Sequence, residues 1–396
     1  MRRVQGRISN VNVSRVIRSI FLNPGISRVE ISRQLNLNKS TISKIVGDLL
    51  ELELIQISAV GDASPMGGRK PLHLTINKEW GSIMGVEIQT EAFTVVGINL
   101  RGEVFFSHSE LIDLKGQTIL EAFTTIYSRF RPRLESFGMP LIGVGVGLSG
   151  IVNSARGIIY ASNPLEIYQP LHFNEAVSRL VALDVPVIIE NDANCCCFGE
   201  LVFQQAERHE NFVFVLGELR KHSIKLDDYR IMAIGLGIVL NGEVHYGHDY
   251  SAGEFRSILH REANVNQFSI TDEEARRFLS DREVDERIIT ELSDNLAFLV
   301  NTLNMSKVVL GGPIEQLKET IVPILERRIQ AQWAYPNHVE CEISFSRFGE
   351  MSVAFGAAAM FLERLISIPE VSGEEETGLR LRGAELLQHL SALTGG

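Results

Sequence analysis

The segment Ile189–Glu200, with the sequence IENDANCCCFGE, constrains the fold of this chain more than any other. Its apolar residues predict a buried strand, a Glu-Asn-Asp triplet follows, and a helix of small residues is predicted to begin at once. In α/β proteins, ligands bind at the carboxyl edge of the sheet. Asp192 would lie at that edge, and a carboxylate there is a candidate general base for a bound hydroxyl group.

The charge of the chain is divided unevenly between its two ends. Residues 1–80 contain 12 Lys and Arg against 6 Asp and Glu, although the whole chain of 396 residues has a net charge of −11. This length predicts two or three domains. A basic head on an acidic body predicts a module that binds a polyanion, joined to a body with another task.

The four cysteines and the absence of long apolar runs exclude several classes of protein. Cys195, Cys196 and Cys197 are consecutive, so they cannot form a disulfide framework, and no pair has zinc-finger spacing. We expect them to be small buried residues behind a ligand pocket. The N-terminal residues contain no apolar signal-peptide core, and no run of about 18 apolar residues predicts a membrane span. A cytoplasmic protein is therefore expected.

The basic head predicts three helices. The apolar period in Val11–Leu22 predicts the first, and the Ser27 to Glu30 capping box starts a second that ends at Leu35. The third helix is predicted over Asn38–Leu52, with Asn38 or Ser40 as its cap.

The exposed positions of the third predicted helix point to nucleic acid. Two predicted strands, Leu54–Ser58 and Pro71–Ile76, flank a loop rich in Gly, Ser and Pro, which predicts a winged helix. Short polar or cationic residues suit a recognition helix and its wing. The predicted DNA-binding residues are Lys39, Ser40, Thr41, Ser43, Lys44, Arg69 and Lys70. A small helical domain that binds protein is the alternative.

The acidic body alternates predicted strands and helices, with a β-meander at its start. This pattern, which occurs twice, predicts a two-lobed α/β body with a cleft. We expect the winged helix-turn-helix domain to cover residues 1–78 and the body to cover residues 79–368. Residues 369–396 are predicted to be a polar C-terminal tail.

Several motifs occur in the order typical of one family. They are GGRKPLHL, GVGVGLSGIV, IENDANCCCFGE, SAGEF and VVLGGP. With the winged-helix head, the chain resembles a transcriptional regulator of the ROK family (repressors, open reading frames and kinases). The resemblance implies a two-lobed, actin-like (ribonuclease H-type) body that is dimeric or tetrameric and binds sugar in its cleft.

The same resemblance implies the residues that bind the sugar. By position in the family motifs they are Gly150, Asn163, Asn191, Asp192 and Glu254. In a kinase of the family, Asp192 would be the catalytic base. Two other roles remain open, because Asp commonly caps a helix and Asn commonly lies in a turn. Asp192 and Asn163 could have these roles instead.

Two departures from the family pattern argue against phosphoryl transfer. Family kinases have Asp-x-Gly-Gly-Thr at the first phosphate loop, whereas this chain has Glu87-Ile-Gln-Thr-Glu91. The second loop, usually Gly-Thr-Gly-x-Gly, is here Gly235-Leu-Gly-Ile-Val239. Because phosphoryl transfer depends on positioning and charge stabilisation, the loss of both loops predicts no kinase activity and no catalytic residue.

The family's zinc motif is also missing. The resemblance implies a His directly after Gly-Glu and a cluster of cysteines downstream, but Phe255 follows Glu254 and no cysteine follows in this loop. A lone His260 is seldom a zinc site. We therefore predict neither metal nor cofactor, and the missing His puts the sugar affinity in question.

These observations predict a DNA-binding transcriptional repressor controlled by a sugar, with operator DNA and a sugar effector as its partners. A homodimer or homotetramer would place two heads on a palindromic operator. Two alternatives remain: a bifunctional sugar kinase-regulator, and a constitutive DNA binder whose body is only a dimerisation scaffold.

Overall fold

The head of the protein is a winged helix-turn-helix unit. The computed structural model describes residues 2–60, 71–112, 116–181, 183–203, 209–224 and 227–366. In the head these form α1 (Arg2–Leu22), β1 (Ile26–Ser27), α2 (Arg28–Leu35), α3 (Lys39–Glu51), β2 (Ile55–Val60) and β3 (Leu72–Ile76). The strands pair antiparallel in the order β1-β3-β2. The wing residues Arg69 and Lys70 lie outside the described residues.

Local hydrogen bonds confirm how the second helix starts. The Glu30 amide donates to Ser27 Oγ at 3.4 Å, and the Ser27 amide donates to the Glu30 carboxylate at 2.8 Å, so the predicted capping box forms. Asn36 then adopts a left-handed conformation with φ of 51°, as Asn does readily, and the chain turns into α3. Asn38 occupies the cap position of α3, but its side chain makes no capping hydrogen bond.

The first lobe of the body holds a five-stranded sheet. Its elements are β4 (Ser82–Ile88), β5 (Ala92–Asn99), β6 (Val104–Leu111), α4 (Ile119–Glu135), β7 (Leu141–Leu148), β8 (Ile151–Asn153), β9 (Ile158–Ala161), β10 (Leu171–His172), α5 (Phe173–Leu180), β11 (Val187–Asn191) and α6 (Asp192–Phe203). The main sheet has the order β11-β7-β4-β5-β6, in which β7 runs parallel to both of its neighbours, β11 and β4. The short strands β8, β9 and β10 form a separate small sheet.

The second lobe repeats this plan. Its elements are β12 (Phe212–Ile224), β13 (Asp227–Leu240), β14 (Glu243–Val244), α7 (Asp272–Ala275), α8 (Arg282–Leu303), β15 (Lys307–Gly311), a 3-10 turn (Pro313–Leu317), α9 (Lys318–Ala331), β16 (Glu342–Phe345), a second 3-10 turn (Gly349–Met351) and α10 (Ser352–Ile366). The sheet order is β14-β13-β12-β15-β16. Between β15 and β16 the 3-10 turn and α9 are separate elements, because Leu317 between them has φ of −104° and ψ of 21°.

The last helix, α10, packs on the first lobe and leaves no space at the glycines of the sheet. A Cβ atom at Gly145 would lie 1.9 Å from the Ala357 carbonyl oxygen, and one at Gly85 would lie 1.9 Å from that of Ala354. Helix and sheet are therefore in backbone contact, which fixes α10 relative to β4 and β7.

The substitution Gly145→Ala is expected to destabilise the protein by about 3 kcal/mol, because the methyl group would displace the α10 backbone. Thermal unfolding followed by circular dichroism should show a melting temperature several degrees lower. The matched control is Gly47→Ala in α3, where an added Cβ meets nothing within 4 Å. It should raise stability by about 0.5–1 kcal/mol. Equal melting temperatures for the two variants would contradict the tight packing.

None of the helices in the described ranges is long and apolar enough to cross a membrane. The predicted polar tail, residues 369–396, lies outside the described residues.

Candidate ligand cavity and nucleic-acid interface

A cavity of about 150 Å³ lies where the two lobes meet. Its wall comes from the turn after β7, the segment after β9, the junction of β11 with α6, the middle of β13 around Gly235, and the loop around Gly253. All five residues predicted to bind a sugar line this cavity: Gly150, Asn163, Asn191, Asp192 and Glu254. The fold thus gathers residues that are up to about a hundred positions apart in the sequence.

Asp192 is placed by the parallel pairing of β11 with β7. Glu190 lies opposite Gly147 and Asn191 opposite Leu148, so the chain leaves the sheet at the same edge as the turn after β7. Asp192 is only 4% exposed. Its carboxylate accepts hydrogen bonds from Ser149 Oγ at 2.5 Å and from the Ala193 amide at 2.8 Å. These bonds hold the carboxylate in one orientation.

The helix cap at this edge is supplied by Asn191. The Asn194 amide donates to Asn191 Oδ1 at 3.1 Å, and Asn191 Nδ2 donates to the Gly150 carbonyl oxygen at 3.0 Å. Asp192 is the first residue of α6, and its carboxylate accepts from the adjacent Ala193 amide, which is not the position of a cap. The side chain that caps α6 is therefore that of Asn191, and the carboxylate of Asp192 does not have this role.

Gly150, in the turn after β7, and Asn163, in the segment after β9, both line the cavity. Gly150 has φ of 126°, and a Cβ atom there would lie 2.3 Å from the Ala161 carbonyl oxygen, so only glycine fits. Asn163 is exposed at the rim, and its carbonyl oxygen accepts from the Glu166 amide at 3.2 Å. The backbone of Asn163 thus forms part of a turn, and its side chain lies at the rim of the cavity.

The second lobe contributes Glu254 through a backbone bridge. Gly253 has φ of 93°, its carbonyl oxygen accepts from the Leu236 amide at 3.1 Å, and Glu254 pairs with Gly235. A Cβ atom at Gly253 would lie 1.8 Å from the Leu236 carbonyl oxygen. The loop can therefore lie this close to β13 only because residue 253 is a glycine.

Two lining residues, Tyr250 and Gln267, escaped the sequence analysis. The Gln267 side chain forms hydrogen bonds with backbone groups of two segments. Its Oε1 accepts from the Ile234 amide at 2.6 Å, and its Nε2 donates to the carbonyl oxygens of Ile234 at 2.9 Å and Phe255 at 2.8 Å. No motif marks this residue, because its role depends on a partner 33 positions away.

The loop after Glu254 is held by side-chain hydrogen bonds. Asn266 Nδ2 donates to Asp272 Oδ1 at 2.7 Å and to the Ile270 carbonyl oxygen at 3.0 Å. His260 Nε2 lies 3.3 Å from the Asn264 carbonyl oxygen. Among the described residues, no group of three His, Cys, Asp or Glu side chains is placed to hold a metal ion.

The first degraded phosphate loop is a tight turn. The Gln89 amide donates to the Ala92 carbonyl oxygen at 2.8 Å, and Gln89 Nε2 donates to Glu87 Oε1 at 2.6 Å and Glu218 Oε1 at 3.4 Å. Burial raises the pKa of Glu87 well above its usual value, and the nearby Glu218 carboxylate raises the pKa further. The side-chain amide of Gln89, held between Glu87 and Glu218, thus lies in the segment that corresponds to the first phosphate loop.

One glycine of the second degraded loop, Gly237, is required by packing. A Cβ atom at Gly237 would lie 2.4 Å from Cys197 Sγ and 2.5 Å from the Ala193 carbonyl oxygen, so β13 can approach α6 only there. Cys195, Cys196 and Cys197 are all buried, as predicted, and burial raises the pKa of each thiol well above its usual value.

Glu87 should make the stability of the protein fall as the pH rises. Its pKa is raised in the folded state, so its contribution is fully present below its unfolded pKa of about 4.3. The contribution is lost as the pH rises through the higher folded pKa. The substitution Glu87→Gln is expected to remove this loss, and the melting temperature should then decline less steeply between about pH 5 and pH 8.

The control for this measurement is Glu110→Gln. Hydrogen bonds from Arg129 and then from His108 lower the pKa of Glu110 to about 2, so its contribution is lost only in acid. The slope of melting temperature against pH should therefore match that of the unmodified protein over the same range. A slope unchanged by Glu87→Gln would show that Glu87 is ionised in the folded state.

The third helix of the head presents a cationic end to solvent. Lys39, Ser40, Ser43 and Lys44 are exposed and Thr41 is half-buried, while Ile42, Ile45, Val46 and Leu49 are buried. The first turn contains no acidic residue and lacks a side-chain capping bond, so the positive helix end stays available to a phosphate.

Two family models match the chain. One described as the ROK family matches residues 84–267, and one described as winged helix-turn-helix DNA-binding matches residues 6–56. These matches confirm the resemblance drawn from the sequence motifs.

Several curated relatives of this chain are named as repressors. The chain is 23% identical to the xylose repressor of Caldicellulosiruptor bescii over 92% of this chain and 98% of that protein. It is 29% identical to the xylose repressor of Lactiplantibacillus pentosus, with 80% of each covered. The match to the xylose repressor of Bacillus spizizenii is 26% identical and spans 62% of this chain and 60% of that relative's length.

Solved structures confirm the predicted fold. A ROK family transcriptional regulator, a homolog of the Escherichia coli Mlc protein, has a TM-score of 0.70 and 20% identity, covering 98% of this chain and 100% of its own. A ROK family glucokinase from Streptomyces griseus, in complex with glucose and AMPPNP, has a TM-score of 0.54 and 16% identity, covering 71% of this chain and 99% of its own.

Proposed function

We propose that this chain, which matches the ROK family model behind a winged helix-turn-helix match, is a transcriptional repressor controlled by a sugar. Residues 1–78 bind operator DNA, and residues 79–368 bind the sugar and form a homodimer or homotetramer. The protein acts in the cytoplasm without kinase activity, metal or cofactor. The names of its relatives make xylose the first sugar to test.

The observation that carries this proposal is that one helix, α10, contacts both functional regions. Near its start, α10 packs against the helix that begins at Asp192: a Cβ atom at Gly356 would lie 1.9 Å from the Cys195 carbonyl oxygen. Near its end, Leu365 is buried in the same apolar core as Ile17 and Leu54 of the head. A displacement of α6 is therefore transmitted to the head through a rigid element.

Polar contacts reinforce this connection at the head. Arg18 of α1 forms an ion pair with Glu363 of α10 at 2.6 Å. Trp80 Nε1 donates to the Leu52 carbonyl oxygen at 2.8 Å, just after the recognition helix. The head is therefore fixed to the first lobe and does not hang on a free linker.

A second set of contacts joins the two lobes beside the cavity. Tyr246, which follows β14 in the second lobe, donates to the buried Glu190 carboxylate in the first lobe at 2.9 Å. Burial raises the pKa of Glu190, and hydrogen bonding by the Asn191 amide and the charge of Arg364 on α10 oppose the rise. A sugar that changes the lobe angle would alter this contact and α10 together. Control requires that the sugar bind the two arrangements with different affinities.

The absence of kinase activity is supported by both degraded loops. Gln89 binds two acidic side chains where the first phosphate loop would lie, and Gly237 is a packing glycine of β13. The alternative, a bifunctional kinase-regulator, rests on Asp192. Coupled detection of ADP release with a hexose and pentose panel distinguishes the two, because turnover that Asp192→Asn abolishes would establish the kinase.

The proposed function is tested by fluorescence anisotropy with the protein's own upstream DNA at moderate salt. We expect sequence-preferring binding relative to a scrambled duplex, and a change in operator affinity with one sugar of the panel. Equal binding to both duplexes would overturn the repressor proposal. Preferential binding that ignores every sugar would favour the constitutive alternative, in which the body is a dimerisation scaffold.

A further inference from the structure

The edge of β13 that faces away from β12 is covered mainly by loop segments. Among the described residues, β14 pairs with β13 at Val239 and Leu240. Earlier in β13, the Leu236 amide donates to the Gly253 carbonyl oxygen at 3.1 Å, and the Ile234 amide donates to a side chain. Backbone groups at such an edge need partners, because a buried amide or carbonyl group without a hydrogen bond is unfavourable.

The Gln267 side chain takes the place of a neighbouring strand at Ile234. Its Oε1 accepts from the Ile234 amide at 2.6 Å, and its Nε2 donates to the Ile234 carbonyl oxygen at 2.9 Å. A residue of an adjacent antiparallel strand would form the same pair of hydrogen bonds. Nε2 also donates to the Phe255 carbonyl oxygen at 2.8 Å, so both N–H donors of the amide are used. One side chain therefore joins β13 to the segment that follows Glu254.

The position of Gln267 is fixed by the residues on either side of it. Asn266 is buried, and its Nδ2 donates to Asp272 Oδ1 at 2.7 Å. The Phe268 amide donates to Asn266 Oδ1 at 2.8 Å, and the Phe268 side chain is buried in the core of the second lobe. The Gln267 carbonyl oxygen also accepts from the Ser257 amide at 3.0 Å. Gln267 is thus a fixed support to which the loop is attached.

The segment that Gln267 holds also contacts the first lobe. The Tyr246 hydroxyl donates to the Glu190 carboxylate at 2.9 Å, and the Ala252 amide donates to the Tyr246 carbonyl oxygen at 3.2 Å. Between these two points of attachment lie four residues that line the cavity: Tyr250, Ala252, Gly253 and Glu254. The wall that the second lobe gives to the cavity therefore depends on where this segment is attached.

From these contacts we infer that Gln267 is a positioning residue, which attaches residues 253–257 to β13 and so sets the second-lobe wall of the cavity for its ligand. This inference rests on the proposed function, because it concerns the proposed sugar site. An amide suits the task, since it has two N–H donors and a carbonyl acceptor on one short side chain. A carboxylate of the same shape accepts hydrogen bonds but cannot donate them to the carbonyl oxygens of Ile234 and Phe255.

The substitution Gln267→Glu tests this role, because its effect should depend on pH. At about pH 7.5 the new side chain is ionised, and both hydrogen bonds from Nε2 are lost. The two carbonyl oxygens favour the protonated carboxyl group and raise its pKa above the ordinary value of about 4.3. Near about pH 5 the protonated group should therefore donate one hydrogen bond again. In the companion variant Gln267→Leu, none of these hydrogen bonds forms at any pH.

Hydrogen–deuterium exchange measured by mass spectrometry reports on the attachment without any ligand. At about pH 7.5, peptides that contain residues 233–238 and 253–258 should exchange about tenfold faster in both variants than in the unmodified protein, because one or two hydrogen bonds are lost. At about pH 5, compared with the unmodified protein at the same pH, the difference should narrow for Gln267→Glu and persist for Gln267→Leu.

The control for the exchange measurement is Gln117→Glu. It makes the same chemical change at an exposed position of the first lobe outside the cavity wall, so both peptides should exchange as in the unmodified protein. The inference is overturned if exchange is unchanged in both Gln267 variants. It is also overturned if exchange rises equally in β15, inside the sheet of the second lobe, because the substitution would then loosen the whole lobe.

Titration calorimetry with xylose, glucose and N-acetylglucosamine connects the attachment to ligand binding. At about pH 7.5, both variants should bind the sugar about tenfold more weakly than the unmodified protein, and at about pH 5 the difference should narrow for Gln267→Glu alone. An unchanged sugar affinity in a variant whose loop exchanges faster would overturn the positioning role. If the unmodified protein binds none of the sugars, sugar control and ligand positioning both fail, while the exchange data still decide whether Gln267 attaches the loop.

Discussion

Replacing Asp192 with asparagine is expected to weaken sugar binding about 100-fold, from the loss of one or two charge-assisted hydrogen bonds of about 1.5–3 kcal/mol each. Asparagine keeps the size of the side chain, but one carboxylate oxygen becomes an NH₂ group. Ser149 Oγ now donates to Oδ2 and the Ala193 amide donates to Oδ1. An amide cannot accept from both partners and still accept from a sugar hydroxyl.

The readouts for Asp192→Asn are titration calorimetry with the sugar and anisotropy with operator DNA. Operator affinity without sugar should stay within about twofold, because the recognition helix is remote from the cavity, whereas the effect of the sugar on operator binding should disappear. The control is Asp184→Asn, at a surface carboxylate that pairs with Arg131 on the first lobe. An unchanged sugar affinity would assign Asp192 a purely structural role.

Much of this cavity could be predicted from the sequence, because its chemistry lies in short motifs at strand ends. Asp192 and Gly150 follow β11 and β7, and parallel strands bring their carboxyl ends to one edge. Glu254 and Asn163 required the family resemblance, because no local pattern shows which loop returns to the cavity.

Contacts between distant segments could not be predicted from the sequence. Gln267 binds Ile234, 33 positions away, and Arg18 binds Glu363, 345 positions away. No periodic pattern in the sequence indicates either contact. The same limit applies to helix caps: Asn191 and Asp192 are equally good caps by residue type, and only the position of the Asn194 amide distinguishes them.

The attachment of the head was also unpredictable. A boundary near residue 78 follows from the change in charge and from the second wing strand. The apolar core, however, continues from Ile17 and Leu54 of the head into Leu362 and Leu365 of α10. An apolar helix at the end of a sequence does not reveal which part of the chain it covers.

The double substitution Lys39→Ala, Lys44→Ala is expected to weaken operator binding roughly 30-fold per head at about 0.15 M salt. The reason is that each lysine that neutralises a phosphate contributes a slope of about 0.9 to the plot of log affinity against log salt concentration. Both lysines are exposed on α3. In the described part of the chain neither forms an ion pair, so their loss costs no internal contact.

The salt dependence identifies how these lysines act. Anisotropy titrations over a range of salt concentrations should give a slope smaller by about 2 per head, with preference among operator variants unchanged, since phosphate contacts carry no sequence information. The control is Lys318→Ala, an exposed lysine at the start of α9 in the second lobe, and sugar binding should be unaffected in both proteins. If the slope stays the same while sequence preference is lost, the lysines contact bases; if both stay the same, α3 does not face the DNA.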